Sequence, residues 1–210
     1  MRKPLNREIL IEKATGLFYK KGYAYATVRD IVKASGLTNA ALYNHFKDKD
    51  SLLYTIIERT DEELLELLKE VEQKYDHPLE RLKEMIYRET CFFERRKREA
   101  KLYLDEQHLL NSNLKRKVRK RHRAIYDCYM KQFRDLESMG LIRPMNKVVL
   151  SFCCIAMINW TYRWFKENGG MKIEDVANTI VDTLLNGILM PEALAICQLG
   201  KGHAKQLIDT

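Results

Sequence analysis

The sequence predicts an all-α protein with a three-helix head at its N-terminus and a larger helical bundle behind it. Apolar residues recur at helical spacing along nearly the whole chain, and no segment alternates apolar and polar residues as strands do. Glycines and prolines separate most of the apolar segments. With 210 residues, of which 46% are hydrophobic, the chain can bury a core of its own.

The first two helices of the head are marked by their ends. Apolar residues spaced i, i+4, i+7 and i+8 from Leu10 predict the first helix, and Gly22 is well placed to cap its C-terminal end. Thr27, followed three residues later by Asp30, predicts a capping box at the start of the second. Gly36 then ends this helix after two turns.

A third helix follows almost at once, because Thr38 can cap it. The turn between the second and third helices is then about three or four residues long, as in a helix-turn-helix. The third helix has only two strongly apolar anchors, Leu42 and Phe46, so its other side chains are left outside a core. Asp48 is predicted to cap a long fourth helix, whose acidic residues 61–63 and 66 form a solvated face.

The rest of the chain is predicted to be helical as well. After Pro78, which is typical of a first helical turn, five helices are expected at 79–95, 99–111, 114–138, 147–167 and 173–189. We place the head at residues 1–48 and the body at 49–210. Residues 192–210 fit either an extra helix or a tail.

One helix of the body is apolar nearly all round. Residues 148–165 read VVLSFCCIAMINWTYRWF, and a membrane span would need ~20 apolar residues without the serine, asparagine, threonine and arginine found here. A soluble helix of this kind must be covered on both sides. We therefore predict no membrane association and a homodimer that forms through the helices near 147–167 and 173–189.

Charge and targeting signals favour an anionic partner inside the cell. The net charge is +8 and the estimated pI is about 9.2. The densest basic run, KRKVRKRHR at residues 115–123, fits a solvated face, a site for ligand phosphates, or a DNA contact. The charged N-terminus lacks a secretory segment, which predicts a cytoplasmic protein.

Catalytic and metal-binding signatures are missing from the sequence. It contains no glycine-rich phosphate loop, no HExxH motif and no nucleophile elbow, and its five histidines lack metal-site spacing. We predict no catalytic residue, no metal and no cofactor, with an all-α enzyme as the disfavoured alternative. The five cysteines suit neither a disulfide framework nor a zinc ribbon, so they are predicted to be buried hydrophobes, with a redox sensor as the alternative.

The segments TVRDIVKASGLT, residues 27–38, and ALYNHFKDKDSLL, residues 41–53, resemble the DNA-binding head of the TetR family of transcriptional repressors. The order and spacing of the motif residues match throughout. Ala40 and Ala41 stand where the family often has glycine and threonine. The base sequence that this helix reads therefore cannot be taken over from other family members. The resemblance implies a ligand-responsive dimer that holds two recognition helices about 34–36 Å apart over a palindromic operator.

The chemistry of the third helix agrees with this resemblance. Asn39 and Asn44 can donate to and accept from base edges, and Ala40 or Ala41 can pack on a thymine methyl group. Hydroxyl, ring and ammonium groups near the helix ends are expected to contact phosphates. The residues expected to do so are Thr27, Thr38, Tyr43, His45 and Lys49. A cation at Lys49 opposes the helix dipole by about 0.3–1 kcal/mol unless an anion is bound nearby.

The effector is predicted less sharply. Residues 159–165, NWTYRWF, resemble more weakly the members of the family that control fatty-acid or sterol degradation and respond to acyl-CoA. Asn159 and Arg163 are one turn apart and could present an amide and a cation to a thioester or phosphate, although Arg163 fits a helix-end or ion-pair role equally well. The aromatic residues expected to line an effector cavity are Tyr87, Phe92, Tyr103 and Tyr129.

The alternative within regulators is a drug- or antiseptic-responsive repressor of an efflux pump. Such a protein needs buried acidic and aromatic groups to hold a cation. The acidic residues that could serve are Glu84, Glu89, Glu94, Asp105 and Glu106.

Overall fold

The computed structural model describes residues 2–191 and residue 193, which form two compact units. The first unit contains the chain up to Glu66 together with Phe93–Ala124. The second contains Leu67–Phe92 and the described residues from Ile125 onward. Most of the segment 192–210, including Cys197, lies outside the described residues. The described residues are built of helices and lack named strands, which confirms the predicted all-α class.

The head consists of α1 (Arg2–Lys21), α2 (Val28–Ser35) and α3 (Asn39–Tyr43). Gly22 and Gly36 take φ values of +81° and +68° at the ends of α1 and α2, where the left-handed backbone favours glycine. Both were predicted as helix ends.

The long fourth helix, α4 (Lys49–Lys74), starts where the sequence predicts. Asp48 Oδ1 accepts from the backbone N of Ser51 at 2.7 Å, and Ser51 Oγ interacts in return with the backbone N of Asp48 at 3.1 Å. The predicted solvated acidic face is wrong at Asp61, which is fully buried. Glu62, Glu63 and Glu66 are exposed, as predicted.

Residues 97–109 do not form the single α-helix predicted at 99–111. They form α6 (Lys97–Lys101), a π-helical turn (Leu102–Glu106) and a 3₁₀ turn (Gln107–Leu109). In a regular α-helix, neighbouring residues point about 100° apart. The wider π turn buries both Leu102 and Tyr103, which follow each other in the sequence.

The remaining helices are α5 (Pro78–Arg95), α7 (Ser112–Ser138), α8 (Lys147–Trp164) and α9 (Ile173–Ile188). They agree with the predicted segments to within a few residues. An isolated antiparallel bridge joins Ile142 to Leu189. None of the helices in the described residues has the length and apolar character that a bilayer crossing requires.

The cysteines only partly behave as predicted. Cys91 and Cys154 are buried, and Cys128 is partly buried. Cys153 is exposed, which contradicts the prediction of a buried hydrophobe, because it lies on the outer side of α8 while its neighbour Cys154 points inward.

The two sides of α8 differ in what covers them. Leu150 and Ile158 are buried, whereas Phe152 and Trp160 are each 60% exposed. The helix is thus apolar on both sides, as predicted, and the described residues cover only one of them. The apolar stripe of α9, from Ile173 to Ile188, is instead buried within its own unit, and the outer side of α9 is polar.

Candidate nucleic-acid interface and effector residues

The helix-turn-helix is built from two side-chain caps and a glycine turn. Thr27 Oγ1 accepts from the backbone N of Asp30 at 3.1 Å, and Asp30 Oδ2 accepts from the backbone N of Thr27 at 3.1 Å. Thr38 Oγ1 accepts from the backbone N of Ala41 at 3.1 Å. These bonds satisfy donors that a helix start leaves unpaired, so α2 and α3 begin at defined residues despite their short lengths.

One side of α3 holds the helix in place, and the other is free of the protein core. Leu42 and Phe46 are 1% and 3% exposed and anchor it. The residues predicted to read bases are accessible: Asn39, Ala40 and Asn44 are exposed, and Ala41 is partly exposed. A two-turn element with small and amide side chains outward suits the major groove.

The predicted phosphate-contacting residues also reach the surface of the head. Tyr43 is 56% exposed, so it does not fill the head's core. Thr27 and Thr38 are exposed while serving as caps, and His45 is partly exposed beside Phe46. Their contacts with DNA stay predictions.

Lys49 has partners within the head. Its Nζ donates to the carbonyl oxygens of Tyr23 at 2.8 Å and Ala26 at 3.0 Å, and it lies 4.2 Å from the centroid of the Tyr23 ring. These carbonyls and the ring stabilise the ammonium where the helix dipole opposes it. The lysine therefore has a structural explanation that requires no bound phosphate.

The next residue, Asp50, links the head to the start of α7. Its carboxylate accepts from the hydroxyl of Tyr23 through Oδ1. Its Oδ2 accepts from both the backbone N and the Nδ2 of Asn111, each at 3.2 Å. Burial and the Asp50 carboxylate raise the pKa of the Tyr23 hydroxyl well above its usual range. Sequence reasoning missed this link because Asp50 and Asn111 are far apart along the chain.

Other exposed side chains of the head were also missed. Tyr25 is 81% exposed, and Arg29, Lys33 and Lys47 are exposed cations. Cations and hydroxyls are the groups that contact a phosphate backbone. Their residue types were visible in the sequence, but a resemblance that emphasises motif positions did not single them out.

Five of the predicted effector residues lie in the second unit, where Tyr129 forms a buried hydrogen-bonded pair with Glu89. Tyr129 is fully buried, and its hydroxyl donates to Glu89 Oε2 at 2.6 Å. Burial raises the pKa of Glu89 to about 7, while the Tyr129 hydrogen bond opposes the rise. Phe92 is buried and Tyr87 partly buried.

Asn159 and Arg163, one turn apart on α8, differ in burial. The side-chain oxygen of Asn159 is buried, and no hydrogen-bond donor reaches it from the described residues. Arg163 is exposed, with its guanidinium 5.1 Å from the centroid of the Trp160 ring. The amide oxygen is therefore enclosed and the cation is accessible to solvent, and their joint role in effector binding stays a prediction.

Tyr103, the sixth predicted effector residue, belongs to the first unit. Its ring centroid lies 4.6 Å from that of His122, and His122 Nε2 lies 3.6 Å from Asp61 Oδ1. Burial raises the pKa of Asp61 to about 7, and the nearby Tyr103 hydroxyl and Arg121 guanidinium oppose the rise. Burial also lowers the pKa of His122 to about 4. No sequence pattern indicated this buried cluster, since its members come from three separate segments.

A capped helix-turn-helix, its polar side exposed, on an all-helical chain defines the class of DNA-binding regulators. Family comparison agrees: residues 10–55 match the model for bacterial regulatory proteins of the tetR family, and residues 75–188 match the tetracyclin repressor-like C-terminal domain. The chain belongs to the TetR family of transcriptional regulators.

Several relatives are similar over most of the chain. The transcriptional repressor KstR2 of Mycolicibacterium smegmatis is 26% identical over 185 residues, which cover 87% of this chain and 90% of that protein. AibR, whose structure contains isovaleryl coenzyme A and operator DNA, gives a TM-score of 0.80 at 27% identity and covers 86% of this chain and 98% of its own. The ketosteroid regulator KstR2 of Mycobacterium tuberculosis gives 0.80 at 21% identity, covering 88% and 95%, which shows the shared fold.

Proposed function

We propose that this protein is a cytoplasmic repressor that binds a palindromic operator as a homodimer and is released by a hydrophobic small molecule. The observation that carries the proposal is the exposed polar side of α3, held by Leu42 and Phe46. Asn39 and Asn44 would read base edges, with Ala40 and Ala41 against thymine methyl groups. Thr27, Thr38, Tyr43 and His45, with the exposed cations of the head, would contact phosphates. Lys49 is held by carbonyls of the head and would serve mainly to stabilise it.

The division of labour follows the predicted domains. Residues 1–48 would bind DNA, and residues 49–210 would bind the effector and dimerise. The protein would have no catalytic activity of its own. Effector binding needs to favour the released form by only about 1.4 kcal/mol to weaken operator binding tenfold.

The proposed dimer contact is the outer side of α8. Val149, Phe152, Trp160 and Trp164 are exposed and recur at helical spacing. Contact with a second copy of this helix would remove these side chains from water. Burial of apolar surface is favourable by about 25 cal/mol per Å². The outer polar side of α9 would form the edge of the same contact, because its apolar stripe is already used within the chain.

We propose an acyl-CoA thioester as the effector class. The support is the similarity to AibR, whose structure contains isovaleryl coenzyme A, and to the KstR2 repressors. Tyr87, Phe92 and Tyr129 would contribute apolar and hydroxyl surface, and the buried side-chain oxygen of Asn159 would accept a hydrogen bond from the ligand. The exposed Arg163 would contact the thioester or a phosphate of the ligand from the surface. Tyr103, which belongs to the first unit, is not included among the proposed effector residues.

A cationic drug-like effector is the second candidate, and Glu89 favours it. Of the five acidic residues considered from the sequence, Glu89 alone is buried. A buried carboxyl with a pKa raised to about 7 ionises readily when a cation is placed beside it.

The deciding experiment titrates the protein into labelled DNA from its own promoter region at two salt concentrations. Each titration is repeated with a long-chain acyl-CoA and with the cation ethidium. Preference for the promoter over scrambled DNA, abolished on adding the thioester, is the expected result. Release by ethidium alone would favour the cationic candidate, and equal binding to promoter and scrambled DNA would contradict the repressor.

A further inference from the structure

The basic run at residues 115–123 divides into two sets on α7. Arg121 is turned toward α4, where it pairs with Glu58 and Glu62. Arg116, Arg119, Lys120 and Arg123 are exposed, whereas Val118 is buried. At helical spacing these four cations share the outer side of the helix, and we call them the α7 cationic face.

The α7 cationic face concentrates positive charge. Arg116 and Arg123 each lie three and four residues from Arg119 and Lys120, so the like charges repel one another along the helix. No carboxylate among the described residues pairs with Arg116, Arg119 or Lys120, and Arg116 instead donates to Asn113 Oδ1 at 3.0 Å. Such repulsion is relieved by an anion with several charges in a row.

The register of α7 places its first turn beside the start of α4, the helix that follows the head. Asn111, just before α7, donates two hydrogen bonds to Asp50 in the first turn of α4, the helix that follows α3 along the chain. Further along, Lys117 Nζ lies 5.5 Å from the Tyr54 ring centroid, and Arg121 reaches Glu58. The two helices therefore run side by side in the same direction, and the first turns of both lie at one level.

The dimensions suit a nucleic-acid strand. Arg116 and Arg123 are separated by seven residues, or about 10 Å along the axis at 1.5 Å per residue. One strand of B-DNA carries a phosphate about every 3.4 Å of its axis. The face is therefore long enough to oppose more than one phosphate of the same strand.

We propose that the α7 cationic face is a second DNA-contacting surface, which binds the phosphate backbone that flanks the bases read by α3. The inference rests on the proposed operator binding and extends it beyond the helix-turn-helix. It adds affinity and salt dependence without sequence preference, because phosphate contacts carry no base information. Arg121 and Lys117 are not part of this surface, since the first is ion-paired and the second lies over Tyr54.

The test is a triple variant, Arg116→Gln, Arg119→Gln and Lys120→Gln, in the full chain. Operator affinity is measured by fluorescence anisotropy over a series of salt concentrations. Each phosphate that the protein no longer neutralises reduces the slope of log K against log salt by about 0.9, so a dimer that neutralises one phosphate fewer per subunit shows a slope smaller by about two. Thermal unfolding checks that the variant folds, and it should unfold no earlier than the parent protein.

The matched control is Arg134→Gln, Arg143→Gln and Lys172→Gln, which removes the same charge from exposed residues of the second unit. The control should keep the parent slope. Trimming the duplex to the footprint of the two recognition helices should also lower the parent slope toward that of the triple variant. A triple variant with the parent slope on the long duplex would overturn the inference.

Two further outcomes distinguish this inference from a ligand-phosphate site and from failure of the proposed repressor function. In the first outcome, the triple variant keeps the parent salt slope of DNA binding but binds coenzyme A, the probe in a separate titration, far more weakly than the parent protein does. The α7 cationic face would then bind ligand phosphates, and the DNA assignment would be wrong. If the parent protein does not prefer promoter over scrambled DNA, the proposed repressor function fails, and the operator-flanking surface falls with it.

Discussion

At the scale of single residues, two buried carboxyls tie the stability of the protein to pH. The pKa values of Asp61 and Glu89 are both raised to about 7 by burial. Between about pH 4 and 7 the folded protein keeps protons that the unfolded chain has released. The two protonated carboxyls therefore contribute to the free energy of unfolding fully below about pH 4, and this contribution is lost as the pH rises through about 7. His122, whose pKa is lowered to about 4, acts oppositely, because its contribution is lost as the pH falls through about 4.

Replacing Asp61 with asparagine should therefore stabilise the protein at pH 8. The amide resembles the protonated carboxyl and carries no charge into the interior, so we expect a gain on the order of 1–3 kcal/mol at pH 8 that shrinks toward pH 5. Urea unfolding at several pH values measures it. Glu66→Gln, on the exposed side of the same helix, is the control and should change little. A D61N gain that is equal at pH 5 and pH 8 would contradict the raised pKa.

Variants of Lys49 and Lys47 should distinguish a lysine that stabilises the fold from a lysine that contacts DNA. Lys49→Met leaves the carbonyls of Tyr23 and Ala26 without their donor, so we expect a loss of about 1–3 kcal/mol of stability. Lys47 is exposed, and Lys47→Met should keep the stability while reducing the salt slope of operator binding by about 0.9 for each phosphate that is no longer neutralised. Thermal unfolding and anisotropy titration measure the two effects. Unchanged stability in the Lys49 variant would show that its hydrogen bonds to the carbonyls contribute little.

At the scale of elements, the short helices of the head depend on their caps. α2 and α3 contain eight and five residues, and helices of this length are marginal unless their ends and packing hold them. The reciprocal bonds between Thr27 and Asp30 fix where α2 starts, and so where the turn and α3 follow.

Thr27→Ala should lower the stability by about 1 kcal/mol, the usual cost of losing an N-cap side chain. Thr27→Ser keeps the hydroxyl and should retain most of it. Thr183→Ala, on the exposed side of α9, is the matched control. Differential scanning calorimetry on the three variants measures the effect, and equal transitions for Thr27→Ala and Thr27→Ser would show that the capping box does not stabilise α2.

The π-helical turn at Leu102–Glu106 is the other element of note. It brings Tyr103 to the same buried cluster as Asp61 of α4 and His122 of α7. A π turn is costly because its backbone is wider than that of an α-helix, and such turns are frequent at functional positions. Here its local effect is to bury two consecutive large side chains.

At the scale of the whole molecule, the exposed apolar side of α8 supports the proposed dimer. Several of its large side chains are about half or more exposed, and exposed apolar surface of this kind is characteristic of interaction sites. A palindromic operator would require the two recognition helices that only a dimer supplies.

Phe152→Glu combined with Trp160→Glu should convert the proposed dimer to monomer. Both side chains are 60% exposed, so the chain should still fold, whereas two charges per subunit could not be buried in a contact. Light scattering measures the mass, and operator affinity should fall with it. Gln73→Glu combined with Ser138→Glu, at exposed residues of α4 and α7 in the second unit, is the control for added charge. A double α8 variant that stays dimeric would place the contact elsewhere.

Much of the fold followed from the sequence by itself. The starts of α2, α3 and α4 were predicted from Thr27, Thr38 and Asp48, and the ends of α1 and α2 from Gly22 and Gly36, and the structure confirms each. Caps and glycine turns depend on hydrogen bonds and backbone angles within a few residues, which a short segment determines without help from the rest of the chain.

Tertiary structure decided which neighbour each helix side meets. Asp61 was expected in solvent and is buried, Lys49 has carbonyl partners more than twenty residues away, and the apolar stripe of α9 is used within its own unit. The helical period says only which residues share a side. Whether that side faces solvent, another helix or a second chain depends on through-space interactions between distant segments, so only the folded structure determines it.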